Sequence, residues 1–123
     1  MTNNYSVTSL VSNNPDNNPQ LLDPYVSLGW GIAIRPAGLG GHFWVSNSGT
    51  GISTEYVGDV SGIPIYQDAL KIVEVTPAEG NPFNLSGVSG QVFNGSNDFV
   101  ITQDHPNGEI TAPSKFIFVA TDG

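Results

Sequence analysis

Cysteine is absent from this 123-residue chain, which excludes a disulfide framework, thiol catalysis and any thiolate-bound metal. Basic residues are scarce: Arg35, Lys71 and Lys115 stand against 11 carboxylates, for a net charge of −8. Nucleic-acid binding draws most of its affinity from Lys and Arg neutralising phosphates, and an anionic membrane surface attracts the same side chains. Three scattered cations supply neither, so nucleic acid and membrane are not expected as partners. The longest apolar runs are about five residues, far short of the roughly 20 that a spanning helix needs. No basic segment followed by an apolar one opens the chain, so no signal peptide is visible. The chain reads as soluble, or as having already lost an export signal.

Charge of either sign is low, at 11% of residues against about 25% in an average soluble domain. The surface must therefore be Asn, Ser, Thr and Gly. The 15 glycines and 9 prolines make up about a fifth of the chain and favour many turns over long helices.

Residues 1–22 form an Asn-, Ser- and Pro-rich arm, in which 5–11 partly alternate and can add a strand to a sheet edge. The run 13–20 has almost nothing to bury and reads as loop. Trp30-Gly31-Ile32-Ala33-Ile34 is a short buried strand stopped by Pro36, with a Gly-rich turn at 37–41. Phe43-Trp44-Val45 is a second strand, 52–57 a third rich in branched and aromatic residues, and 69–75 a fourth ended by Pro77. Four short strands within one turn-punctuated segment match one blade of a β-propeller; half of a β-sandwich has a similar rhythm.

An internal repeat favours the first reading. Trp30 to Ile34 lines up with Ser89-Gly90-Gln91-Val92-Phe93, 59 residues later. The run 41–49 lines up with a segment starting at Ser114 or Lys115 and running through Phe116-Ile117-Phe118-Val119 to Gly123, 74 residues later. The extra residues of the second copy read as an inserted hairpin, 98–102 and 109–111, turning at Asn107-Gly108. The expected fold is all-β: a partial β-propeller of about one and a half four-stranded antiparallel blades, or alternatively a small β-sandwich. Blade one would span about 23–77, the start of blade two about 85–123, and 23–123 together an incomplete propeller.

The residues that carry the repeat also carry a resemblance. Asp23-Pro24-Tyr25, Trp30-Gly31-Ile32-Ala33, Phe43 to Gly51 and Ser53-Thr54-x-Tyr56, followed by Gly90-x-Val92-Phe93-Asn94-Gly95-Ser96-x-Asp98-Phe99-Val100 and 116–123, resemble an uncharacterised bacterial family of NHL-like β-propeller proteins. The resemblance runs from about Tyr5 to the end and covers what would be the family's N-terminal third. It implies a propeller fold and an extracellular or cell-envelope location. Two departures stand out. The family's Asn-Pro-Trp-Gly run is replaced by an Asp-Pro-Tyr separated from Trp30-Gly31 by 26–29, and the chain stops after the second strand of its second blade.

A blade buries its faces against neighbouring blades, so an unfinished one leaves apolar surface and an open strand edge at 115–120. That edge suits a protein partner or a second copy of the chain. The leading expectation is a non-catalytic propeller-type binding or scaffold module, a fragment of a longer exported protein. A self-assembling structural protein completed by strand exchange, and a hydrolase or lyase completed by missing blades, are the alternatives.

Chemistry-bearing patterns are sparse. His42 and His105 lack the spacing of a zinc site, so no metal ligands are assigned, and each reads as a turn imidazole bonded locally. No Gly-x-Ser-x-Gly elbow is present, no catalytic residues are assigned, and the enzyme question leans to no. The Asn-rich run 13–18 and the turn 104–109 can offer oxygens to calcium, but without EF-hand spacing, so no cofactor is expected. Trp30, Trp44, Tyr56 and Phe118 read as core. In a closed propeller ligands meet the ends of the first strands, which by analogy makes Trp30, Asn47 and Asn94 the candidate ligand-binding residues. Asn4, Asn84 and Asn94 open glycosylation sequons.

Overall fold

The computed structural model describes residues 4–36, 42–58, 62–81 and 85–122. The Gly-rich turn expected at 37–41 and sequon residue Asn84 lie outside them. The arm carries β1 (Val11–Ser12) and β2 (Leu21–Leu22), paired parallel. Between them Asn14 caps a single 3-10 turn (Pro15–Asn17), its side-chain oxygen accepting from Asp16 N at 2.9 Å. The edge strand expected over 5–11 is largely missing. Tyr5 and Val7 stand in solvent, and the backbone of Ser9, Leu10 and Ser12 pairs with Gln20, Leu21 and Asp23. These bonds pair the arm with itself, and among the described residues it forms its own two-stranded sheet apart from the main one.

That sheet is an antiparallel meander of β3 (Gly29–Ile34), β4 (Phe43–Asn47), β5 (Ile52–Tyr56) and β6 (Ile72–Glu74), hydrogen-bonded in chain order. β7 (Val88–Phe93) pairs antiparallel with β10 (Phe116–Ala120). Between these two strands β8 (Val100–Gln103) and β9 (Ile110–Pro113) form the inserted hairpin, exposed along nearly all its length. The other edge of β10 meets no strand among the described residues. The molecule is all-β and open, an arrangement that a partial propeller and a small sandwich share.

The two β-units repeat one another in detail. β3 pairs with β4 through Ile34↔Phe43 and Ile32↔Val45; β7 pairs with β10 through Phe93↔Phe116 and Gln91↔Phe118. The equivalence is thus 59 residues in the first strand and 73 in the second, which starts the second copy at Ser114 and corrects the offset of 74. A bulge falls at the same place in both: between Gly29 and Gly31 opposite Ser46 and Asn47, and between Val88 and Gly90 opposite Val119 and Ala120. Flanking hydrogen bonds match as well. Arg35 N donates to His42 O (2.8 Å) as Asn94 N donates to Lys115 O (2.9 Å), and Ser48 N to Leu28 O (3.1 Å) as Thr121 N to Gly87 O (3.3 Å). Even the left-handed residue before the bulge recurs, Leu28 at φ 50° and Gly87 at φ 56°.

Strand alternation gives each unit two faces. The front of the first carries Gly31, Ala33, Trp44, Ser46, Ser53 and Glu55; its rear carries Ile32, Ile34, Phe43, Val45, Thr54 and Tyr56, with the bulged Trp30 beside them. The rear of the second unit packs on the front of the first. Trp44 and Phe116 rings lie 4.6 Å apart, and Ser53 Oγ donates to Gln91 Oε1 at 2.6 Å. Gly31 is where the strands come closest, since a Cβ there would sit 2.9 Å from Ser89 O and 3.0 Å from Gly90 Cα.

The core is small and mixed. Trp44 and Tyr56 are buried as expected and Phe118 is half-buried. Trp30 is 74% exposed, against the expectation of a core residue. No described element covers the rear of β3 there, and the bulge displaces Trp30 from the ladder.

Candidate functional site

The three residues singled out for ligand contact do not share a site. Asn47 ends β4 fully buried, and its amide nitrogen donates to Val45 O (2.9 Å), Ile52 O (3.2 Å) and Thr54 Oγ1 (3.0 Å). It closes the β4–β5 turn from inside. Asn94 follows β7 at the opposite end of the strands and knots the base of the inserted hairpin. Its nitrogen donates to Asp98 O (3.0 Å) and Ser114 O (2.9 Å), and its oxygen accepts from Ser96 N and Oγ. Both amide nitrogens therefore hold the fold. Trp30 lies near Asn47, whose partner Gly29 adjoins it, and presents its ring to solvent.

What the structure does bring together is a polar seam along the front face. His42 Nδ1 is hydrogen-bonded to Glu55 Oε1, across from the turn in which His42 was expected to bond locally. The reason is register. Trp44 pairs with Glu55, so a residue two positions before Trp44 on the same face reaches the same carboxylate. Glu55 is only 3% exposed, whereas the imidazole keeps partial access to solvent. A carboxylate on Nδ1 fixes the ring and leaves Nε2 to meet a proton or ligand, which is how paired imidazoles are commonly oriented. Alongside, Glu55 Oε2, Trp44 Nε1, Ser46 Oγ, Gln91 Nε2 and Arg35 Nε are buried with no hydrogen-bond partner among the described residues. Packing polar strands face to face leaves such groups underused, and each unmet one costs about 1–3 kcal/mol. The signal for this pair was a Glu inside an otherwise apolar and hydroxylic strand, readable only with the β4–β5 register.

A second buried network anchors the arm to the rear face. Tyr56 Oη donates to Asp23 Oδ2 at 2.7 Å, Gln67 Nε2 donates to the same oxygen at 3.0 Å, and Tyr25 N donates to Asp23 Oδ1 at 2.9 Å. Burial, reinforced by the Asp23 hydrogen bond, pushes the Tyr56 phenol far above its ordinary value and keeps it a neutral donor. The Asp23-Pro24-Tyr25 segment thus serves as a clasp.

The remaining candidates are local structure. His105 Nδ1 accepts from Asn107 N in an exposed turn. Ser12 Oγ accepts from Asn14 N (3.0 Å) and Asn17 Nδ2 (2.8 Å), and Asn14 Oδ1 accepts from Asp16 N, so these two side chains close the turn at 14–17. Among the described residues no three His, Asp or Glu side chains converge as a metal site would require. A shallow cavity of about 330 Å³ lies at the Asn47 end, lined by Thr50, Gly51, Glu74, Thr76, Leu85 and Ser86. No protein-family model, curated protein or solved structure matches the chain.

Proposed function

We propose that the chain is a propeller-type binding or scaffold module that works by presenting stacked β-units to a protein partner. The supporting observation is the repeat, in which two units with the same register, bulge and left-handed residue pack front to rear. Units that stack in this way obtain much of their core from their neighbours. The outermost rear face offers Trp30, Ile32 and Ile34 to solvent, and a contiguous exposed apolar row is a usual mark of an interaction surface. An extracellular or cell-envelope setting belongs to the same proposal and rests on the family resemblance.

The His42–Glu55 pair is, on this reading, a brace between β4 and β5. The test is to incubate the purified chain and its Glu55→Gln variant with chromogenic esters, phosphoesters and glycosides. Equal background rates are expected from both. Turnover by the wild type that disappears in a folded Glu55→Gln variant would overturn the non-catalytic reading and assign the chemistry to this pair.

A further inference from the structure

Gly31 and Gly90 occupy equivalent positions, yet only one has a visible reason to be glycine. At Gly31 the β7 backbone approaches so closely that a Cβ would meet Ser89 O at 2.9 Å. At Gly90 a Cβ would meet only Val119 Cβ at 3.8 Å, an ordinary contact. Glycine inside a strand weakens it and commonly marks the close approach of another backbone. In the first unit that backbone is Ser89-Gly90. By the same equivalence, the residues that would approach Gly90 are Trp30-Gly31 of another unit.

The side chains around the two positions agree. The front of the second unit shows Val92, Ile117 and Val119 around Gly90, with Val92 and Val119 largely exposed. The rear of β3 shows Trp30, Ile32 and Ile34, all exposed, where the second unit half-buries their equivalents Ser89, Gln91 and Phe93. The internal interface and this outer surface are the two faces of one strand, β3, so the outer one continues the inner one. Charge points the same way. In a chain of net charge −8, the exposed row of β3 and the front of β7 and β10 carry no carboxylate. The rear-facing Glu74 sits on β6 at the far edge of the sheet, so copies can meet along β3 without opposing like charges.

We propose that a second copy of this chain docks head to tail, the Gly90 front of one copy against the Trp30 rear of the next, repeating the packing found between the two units inside the chain. The contact is heterologous and builds a ring where the rotation closes. The proposal rests on the stacked-unit reading above and differs from pairing through the edge of β10 that meets no strand among the described residues, which uses backbone rather than this face.

Sedimentation velocity over a concentration series of the full chain tests it, with Gly90→Val, Trp30→Ser and Gly31→Val as variants. The wild type is expected to form species heavier than the 13.0 kDa monomer. Gly90→Val and Trp30→Ser should keep the wild-type melting temperature, extrapolated to low concentration, while weakening association by about tenfold or more. Gly31→Val should lower the melting temperature of the monomer itself. A wild type that stays monomeric, or association that survives both Gly90→Val and Trp30→Ser, overturns head-to-tail docking. If Gly31→Val melts like the wild type, the stacked-unit reading fails instead, so the two failures are separable.

Discussion

The two β-units share a backbone but distribute polarity in opposite ways. In the first, the exposed rear of β3 is apolar and the buried front is crossed by Ser46, Ser53 and Glu55. In the second, the rear strand pressed against that front carries Ser89 and Gln91 among aromatic rings, and the outward front is Gly90, Val92, Ile117 and Val119. A burial pattern judged on either unit alone would point the faces the wrong way. What decides them is the stacking, since a face is inside or outside according to whether another unit covers it.

The two tryptophans make the sharpest contrast, and the largest expected effect. Trp44 is 4% exposed and lies against Phe116 at the junction of the units. Trp44→Ala should destabilise the chain by about 3–5 kcal/mol, the range for large core truncations. Trp30→Ala should change monomer stability by no more than about 0.5 kcal/mol, as surface substitutions usually do. Urea denaturation at low protein concentration measures both, and similar losses for the two would undo the distinction between covered and uncovered faces.

Next in size is the clasp of the first unit. Tyr56→Phe removes the donor to buried Asp23 while Gln67 and Tyr25 N remain. A loss of about 1–3 kcal/mol is expected, the cost of leaving a buried acceptor short of a partner. Hydrogen exchange should show the added opening at 21–25 and 52–56 and leave β7 and β10 protected. Uniform deprotection instead would mean that the clasp supports both units equally.

How far the sequence could be read follows from the same contrast. From β3 onward strand positions were legible to within a few residues because turn residues bracket them, whereas the arm, with few apolar residues to fix a register, was not. Even the inserted hairpin could be placed from Asn107-Gly108 between two β-branched runs. The repeat was legible only to within one residue, because 114 and 115 both offer a plausible start. Cross-strand pairing and the shared bulge settle it. The His42–Glu55 pair and the separation of Asn47 from Asn94 were not legible, since they depend on which residues face each other across a ladder. Trp30 reads as core for a related reason and is exposed: its sequence neighbours resemble those of a buried strand, and exposure depends on a covering unit that its own strand does not encode.

The left-handed position gives a paired prediction of smaller size. Gly87 at φ 56° has Thr121 Oγ1 only 2.4 Å from where a Cβ would lie, so Gly87→Ala adds a clash to backbone strain. A loss of about 1–2 kcal/mol is expected, the scale of the left-handed penalty for a residue with a Cβ. Leu28 already bears that strain at φ 50°, and Leu28→Gly relieves it while loosening the unfolded chain. The two terms oppose, and a net change within about 0.5 kcal/mol is expected. Thermal melts of the pair check this, and equal destabilisation would show that the two positions are not equivalent.

The smallest effect concerns a carboxylate that the second unit has where the first has Gly49. Asp122 Oδ2 accepts from Ala78 N at 2.9 Å and Asn81 Nδ2 at 2.6 Å, tying the segment after β6 to the end of β10. The Ala78 backbone N–H, with the Asn81 amide behind it, holds this carboxyl below its usual range. A depressed folded-state pKa adds stability that is fully present above the unfolded value, about 3.9 for Asp, and is lost as pH falls through the folded value. Wild type should therefore be slightly more stable than Asp122→Asn at neutral pH, with the gap closing on acidification below about pH 4. Melting temperatures of the two proteins across that window decide it. A gap that stays constant from neutral to acid would mean that the oxygen accepts these bonds equally well without its charge, and that the turn owes its hold to geometry alone.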